Sequence, residues 1–387
     1  AGLAGRVAPN MWPYPQDHTR DQYRCGARGG VESSQNRLES KMCVFNAILC
    51  GLLFGCMRPV LPESTPQWLE RELHLTPQFP GFFVAHGRLD ESSLGHRNWT
   101  FLAKVKTRKL RDLRRRNSHC ALHYSFMHRA PYREAIISCP ASDSNVSISG
   151  RSFAINATDR IRGDWSIAVA VSTLFGDVNC DIISAWLKYY TRLGVSKFLF
   201  YTTVTSGNPP CASVTNMSGV EWTRVPSNYV EDMWYHGQLL TVNDALLRAS
   251  GSIRWIGFVD FDEFLTIPSI PLSFCNLSAF LDKKSVELNS SALAFRPHKY
   301  SVIKPWALHY NDEERFFRFL RRQQPQKLTK IFVRPDQVKR MNVHHISGFS
   351  EKVVSVDEAV LQHFSGLLLK RKYTETKRRL APGGSFW

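Results

Sequence analysis

Strand-length apolar runs alternate with helix-length stretches from residue 167 to residue 265, and that alternation admits few folds. Ile167-Ala168-Val169-Ala170-Val171 is short and wholly apolar, as a buried strand is. Residues 177–193 then put Ile182, Ile183, Trp186, Leu187, Tyr190 and Leu193 on one helical face, and Gly194 stands where a helix ends on a left-handed residue. Lys197-Phe198-Leu199-Phe200-Tyr201 reads as a second strand and residues 219–225 as a third. A helix over 235–249, closed by Gly251, leads into a fourth strand over 254–265. Strand and helix in succession predict an α/β fold, a mostly parallel central sheet with helices on its faces. Ligands of such sheets bind at the carboxyl ends of the strands.

The fourth strand, Arg254-Trp255-Ile256-Gly257-Phe258-Val259-Asp260-Phe261-Asp262-Glu263-Phe264-Leu265, carries three carboxylates at that end. Side chains alternate along a strand, so Asp260 and Asp262 are expected on one face, with Phe258 and Val259 available to the core. Two carboxylates at a strand tip form a hard-oxygen site that suits Mn²⁺ or Mg²⁺ carrying a diphosphate. The run also reads as a solvated acidic turn after a buried strand. Its place in an α/β sheet favours the nucleotide and metal reading.

Several spaced motifs add to this. Ala185-Trp186-Leu187-Lys188-Tyr189-Tyr190 with Leu193-Gly194-Val195, Gln238 with Asn243-Asp244-Ala245-Leu246, residues 255–264, and Lys330-Ile331-Phe332-Val333-Arg334-Pro335 with Val343-His344 together resemble glycosyltransferase family 92 over residues 164–366. The resemblance implies a GT-A type nucleotide-sugar-binding fold. It also implies a metal-dependent inverting transfer, usually of galactose from UDP-galactose, to a glycan or polysaccharide acceptor in the Golgi lumen. Plant members extend pectic β-1,4-galactan and animal members galactosylate glycan fucose. Ala185 stands where the family has Glu, Thr202-Thr203 where it has an Asp-Asn pair, and the segment from Phe295 to Tyr300 departs from the family's Gly-rich acceptor segment.

In such a transfer the leaving UDP develops negative charge, which a cation held by Asp260 and Asp262 would offset. A third protein ligand from the C-terminal part is common in such folds, and His344 and His363 are the candidates among 13 histidines. Glu263 reads as a metal ligand, a ribose acceptor or a brace for the backbone at the strand end, with the brace favoured. A base is also required. Asp312 and Glu313, with Glu314, form an acidic patch that reads more readily as a helix N-terminus, and His298 lies near it in sequence. No spacing selects among them. Gln238, Asn243 and Asp244 sit in an otherwise apolar helix next to the acidic strand and, with Tyr201 and Lys330, are the expected donor-binding or bracing residues. Asn243-Asp244 also reads as a solvent face.

The rest of the chain bears on compartment. Asn-x-Ser/Thr sequons at Asn98, Asn145, Asn156, Asn216, Asn276 and Asn289 all follow residue 60, as in a chain glycosylated in the secretory lumen. Residues 42–57 are an apolar run with Arg37 and Lys41 before it and Arg58 after it. It is shorter than the ~20 residues of a spanning helix and reads as a signal-peptide core or a signal anchor. Basic residues on its N-terminal side favour the anchor, giving a single-pass type II Golgi membrane protein with a luminal catalytic domain. Of nine cysteines, Cys120, Cys139, Cys180, Cys211 and Cys275 would then be luminal, enough for two disulfides of open connectivity.

The expected organisation is a tail over 1–41, the anchor over 42–57, a proline-rich stem linker over 58–81, a small region over 82–163, and the GT-A domain over 164–380. Ala135-Ile136-Ile137 and Phe153-Ala154-Ile155 suit either a small β-rich module or extra strands of the catalytic sheet. Fifty basic residues against 33 acidic ones give a net charge of +17, part of it in residues 104–116. Such a strip is a solvated face or a site for an anionic glycan, since a luminal place excludes nucleic acid. Two other classes stay open. A luminal glycan-binding protein with a decayed transferase fold fits the departures at Ala185 and Thr202, and a metal-dependent nucleic-acid enzyme or binder fits carboxylates combined with high positive charge.

Overall fold

In a computed structural model the described residues are 70–80, 82–91, 97–124, 131–141, 145–174, 180–203, 211, 214, 217–269, 276–302, 320–325, 328–346 and 350–364. The tail, the anchor candidate over 42–57, Asn216, Cys275, Asp312 and Glu313 lie outside them. Among the described residues no helix is long and apolar enough to cross a membrane.

The first part of the chain runs through β1 (Glu70–Glu72), β2 (Thr76–Phe79), β3 (Phe82–Glu91), β4 (Arg97–Lys106), α1 (Leu110–Arg116), β5 (Ala121–Tyr124), β6 (Tyr132–Pro140), β7 (Asn145–Ile148) and β8 (Arg151–Ala154). Strands β2-β3-β4-β6-β5 form an antiparallel sheet, and β7 pairs with β8 as a hairpin. Strand alternation divides its side chains between two cores. Phe101, Ala103, Ala135 and Ile137 pack with Val146, Ile148, Leu110 and Leu113 in one cluster, whereas Leu102 and Ile136 point the other way into the cluster of the central sheet. For residues 82–161 the sequence left a separate module and extra strands of the catalytic sheet as alternatives, and the described strands there pair outside the central sheet. The antiparallel sheet is distinct, while β1 pairs in parallel with a strand of the central sheet. Residues 70–80, assigned by their proline content to a stem linker, are therefore β1, β2 and their connection. A disulfide joins Cys120 to Cys139 and another joins Cys180 to Cys211.

From Trp165 the elements are β9 (Trp165–Leu174), α2 (Cys180–Arg192), β10 (Lys197–Thr202), β11 (Val220–Arg224), α3 (Ser227–Val230), α4 (Gln238–Ala249), β12 (Ile253–Phe258) and β13 (Glu263–Thr266). They continue through α5 (Leu277–Glu287), β14 (Ala292–Phe295), β15 (Pro297–Val302), β16 (Leu320–Pro325), β17 (Lys330–Val333), β18 (Lys352–Val353) and β19 (Val360–His363). The central sheet has the order β1-β11-β10-β9-β12-β17-β14-β18, and every pairing from β1 to β12 is parallel. This is the α/β class with a mostly parallel sheet expected from the alternation of elements. The chain moves outward from β9 to β10 and β11, then returns to place β12 on the other side of β9. Strands β9 and β12 thus flank a topological switch point, where the carboxyl ends of an open parallel sheet leave a crevice.

Helix periodicity sets how the layers meet. On α2, Ile183, Trp186, Leu187 and Tyr190 are fully buried, and the Trp186 ring meets Phe198 and Phe200 of β10 with centroids 5.8 and 5.9 Å apart. Gly194, at φ 96°, ends the helix in the left-handed region. Helix α4 is buried on all sides from Leu239 to Ala249 because it contacts β9 and β12 as well as β4 and β6. The solvent-face reading of Asn243 and Asp244 is thereby overturned, since both are buried and must find partners inside the protein.

Gly257 of β12 has a packing reason to lack a side chain. It registers with Phe332 of β17, and a Cβ placed there would stand 2.3 Å from the Phe332 ring. Gly257→Ala is expected to destabilise the fold by about 1–3 kcal/mol through overpacking. Chemical denaturation would show it, and an unchanged midpoint would mean the ring moves freely.

Candidate functional site

The acidic run departs from a continuous strand. Strand β12 stops at Phe258, residues 259–262 turn, and Glu263 opens β13. The two-residue alternation expected to align Asp260 and Asp262 therefore does not operate, and each carboxylate is placed by the turn. The Glu263 N–H donates to the Asp260 carbonyl at 3.0 Å, closing the turn, and the Asp260 N–H donates back to Glu263 Oε2 at 2.9 Å. The Glu263 carbonyl accepts from Trp186 Nε1 at 3.0 Å and from Tyr190 Oη at 3.1 Å, so α2 anchors the turn from below. Glu263 thus hydrogen-bonds the backbone of the turn through its side chain as well as its main chain.

Asp260 meets Lys330 of β17, whose Nζ donates to Oδ2 at 2.6 Å and stands 3.4 Å from Glu263 Oε2. Its other oxygen, Oδ1, accepts from Ser172 Oγ at 3.4 Å, and Ser172 Oγ in turn accepts from Gln238 Nε2 at 2.9 Å. Ser172 lies near the carboxyl end of β9, so this chain of bonds spans the switch point. Gln238 is thereby linked to Asp260 through Ser172. Ser172 escaped notice in the sequence, although a polar residue at the carboxyl end of an apolar strand is the signal that could have found it.

A second, smaller sheet of order β13-β19-β15-β16 brings in the C-terminal residues. Glu263 registers with His363 and His363 with Lys299, so these three lie in one row on one face. His363 Nε2 is 3.5 Å from Asp262 Oδ2, and its Nδ1 is 3.8 Å from Glu263 Oε1. The Phe364 N–H donates to the Asp262 carbonyl at 2.9 Å, tying the turn to the end of β19. His344 instead pairs through Nδ1 with the Thr329 carbonyl at 3.2 Å. Of the two histidine candidates, His363 is the one against Asp262. His298 is buried in the adjacent row with Gln362 and Phe264, and so leaves the opposite face of the sheet. As a base for chemistry at the acidic turn it is ruled out by strand alternation.

The electrostatics follow from burial and crowding. Burial pushes Glu263 up to about 7, with Asp260 and Asp262 adding to the rise and Lys330 opposing it. Desolvation also works to raise Asp260, but the Lys330 ammonium outweighs it and holds that carboxyl below its usual value. Lys330 itself is raised, burial being outweighed by Asp260 and Glu263. For His363, burial is outweighed by the Asp262 and Glu263 carboxylates and the ring is raised toward its charged form. Burial and Lys330 lower His344. With His363 neutral, as a metal-ligating imidazole must be, the carboxylates outweigh the one ammonium and leave a surplus of negative charge.

That surplus suits a cation. Among the described residues, no group of three or more His, Cys, Asp or Glu side chains closes around a point that would hold one. Asp262 and His363 nonetheless fit as a partial set. His363 Nε2 stands 3.5 Å from Asp262 Oδ2, wide for a direct hydrogen bond, while Nδ1, on the Glu263 side of the ring, is a buried polar atom with no hydrogen-bond partner. An oxygen and an imidazole donor, with the remaining positions left to a substrate, is a donor set compatible with a divalent cation.

The other expected donor residues are engaged elsewhere. Asp244 accepts from Arg71 Nη1 at 2.9 Å, from Arg71 Nη2 at 3.1 Å and from Tyr201 Oη at 2.5 Å, and it contacts His86. Asn243 Oδ1 accepts from the Met341 N–H at 2.8 Å, and its Nδ2 donates to the Leu239 and Met341 carbonyls. Tyr201, Asn243 and Asp244 thus join α4 to β1, β3, β10 and the segment around Met341. They hold the layers together and do not touch the acidic turn.

A turn of carboxylates at the switch point of a mostly parallel sheet, flanked by a lysine and a histidine, defines an α/β domain with a polar site at the carboxyl ends of its strands. Residues 212–381, which include Asp260, Asp262, Glu263, Lys330 and His363, match the model of glycosyltransferase family 92. The chain is 25% identical to the β-1,4-galactosyltransferase galt-1 of Caenorhabditis elegans over 222 residues, covering 55% of this chain and 49% of that one. It is 22% identical to the galactan β-1,4-galactosyltransferase GALS3 of Arabidopsis thaliana, covering 52% and 41%. The chain therefore spans about half or less of the length of these relatives. Among solved structures, TarS of S. aureus aligns at a TM-score of 0.31 and 10% identity, over 51% of this chain and 60% of that one.

Proposed function

We propose that this chain is a metal-dependent inverting glycosyltransferase that moves galactose from UDP-galactose onto a glycan or polysaccharide. The observation that carries the reading is the acidic turn at the switch point, where Asp262 stands against His363 and Asp260 is held by Lys330 and Ser172. Asp262 and His363 would hold the cation, Mn²⁺ or Mg²⁺, which when bound offsets the charge of a leaving diphosphate. Lys330 keeps Asp260 ionised and fixed, and Gln238 sets Ser172 against it. Glu263 holds the turn by accepting the Asp260 N–H. The match of residues 212–381 to the family model and similarity to two galactosyltransferases support the sugar.

A secretory, Golgi-luminal setting belongs to the same proposal. It is supported by the two disulfides and by sequon residues Asn145, Asn156, Asn276 and Asn289, which are exposed. The anchor over residues 42–57 and an acceptor of anionic character remain part of this reading.

Titration of the purified protein with UDP-galactose, UDP-glucose and UDP, each with and without Mn²⁺, tests it. Metal-dependent binding that favours UDP-galactose is expected. Folded protein that binds none of the three sinks the transferase reading and leaves the glycan-binding one.

A further inference from the structure

Lys299 has no role in the site described so far, yet the register of the small sheet places it there. Strands β13, β19 and β15 align Glu263, His363 and Lys299 in one row, with Phe264, Gln362 and His298 in the next row facing the other way. The face carrying Glu263 and His363 is the one turned toward Asp262 and Lys330. Lys299 therefore extends from that face one strand beyond His363. Neighbouring strands lie about 4.8 Å apart, within the reach of a lysine side chain, so its ammonium can meet anything bound at Asp262 and His363.

Its surroundings point to an anion. Lys299 is half-buried, and among the described residues it makes no hydrogen bond, ion pair or aromatic contact. The lysines buried elsewhere are paired: Lys104 with Asp232, Lys197 with Glu221, Lys284 with Glu287 and Lys330 with Asp260. A cation partly removed from water with no counter-ion in contact is costly. A bound anion offsets that cost.

We propose that Lys299 is the phosphate-binding cation of this site and that its ligand is the diphosphate of the nucleotide donor, which rests on the transferase reading. Asp262 and His363 engage the diphosphate through the cation, and Lys299 engages it directly by a charge-assisted hydrogen bond. Calorimetric titration of wild type, Lys299→Met and Lys299→Arg with UDP, inorganic pyrophosphate and uridine, all with Mn²⁺, tests it. Lys299→Met keeps the aliphatic stem and should melt at the wild-type temperature. UDP and pyrophosphate affinity should fall about ten- to a hundredfold, uridine binding should stay as it was, and Lys299→Arg should recover most of the loss. Wild-type affinity for UDP and pyrophosphate in Lys299→Met overturns the role of Lys299 while leaving the transferase reading intact. Loss of pyrophosphate binding in Lys299→Met, with UDP no tighter than pyrophosphate in wild type, keeps the anion site and overturns the nucleotide reading. Wild type that binds neither ligand overturns both.

Discussion

Asp262→Asn is expected to lower sugar transfer by about 10³-fold or more, because it removes the charged member of the Asp262–His363 pair that would hold the cation. The fold should tolerate the change. Asparagine keeps the shape of the side chain, and the Asp262 backbone carbonyl still accepts the Phe364 N–H. The loss should therefore appear in transfer rate and in metal-dependent UDP affinity, with little shift in melting temperature. Activity within tenfold of wild type at saturating donor would remove Asp262 from the site. The pairing of His363 with Asp262 makes a second arm available, since His363→Ala should lose metal-dependent binding in parallel.

The largest effect on stability is expected at Asp244. Its carboxylate is fully buried and receives Arg71, His86 and Tyr201, three residues that come from β1, β3 and β10. Burial works to raise this carboxyl, but Arg71 and then His86 outweigh it and hold it well below its ordinary value. Asp244→Asn leaves Arg71 without its counter-ion and disturbs the contacts to His86 and Tyr201, and should cost about 3–5 kcal/mol, a large share of the stability of an ordinary domain. The pH dependence follows from the direction of the shift. A depressed carboxyl contributes stability that is fully present above the unfolded value, near 4, and is lost as pH falls toward the folded one. Wild type should lose stability steeply below about pH 4, and the variant should lack this part of the slope. Denaturation of both proteins between pH 3 and pH 7 checks the claim, and a cost under 1 kcal/mol at pH 7 would argue against it.

Much of this molecule is legible from residue order alone. Apolar runs at Ile167, Lys197 and Ile253 are strands buried almost throughout, Arg254 being the exposed position, and periodicity along Ile183, Trp186, Leu187 and Tyr190 specifies which face of α2 packs on them. Gly194 marks a helix end because only a left-handed residue fits there. Asp260, Asp262 and Glu263 stand out as carboxylates following an apolar run. What failed was the inference that depends on a strand continuing: the turn at 259–262 cancels the alternation that was to align the two aspartates. Likewise, Asn243 and Asp244 carry no sign in α4 that both sides of the helix are covered. That cover comes from β4 and β6, more than a hundred residues earlier in the chain.

Local pattern thus determined the α/β class, the element order and the acidic cluster, because apolar period and turn residues act over neighbouring positions. Tertiary structure alone decided the partners. Lys330 and His363 reach the acidic turn through β17 and β19, and Ser172 reaches it because the chain reverses direction at β9. Strand pairing between distant segments is a matter of register. A shift of one residue in β19 would turn His363 away from Asp262 and bring Gln362 in its place. No local signal in the sequence specifies that register, and the chemistry proposed for this site depends on it.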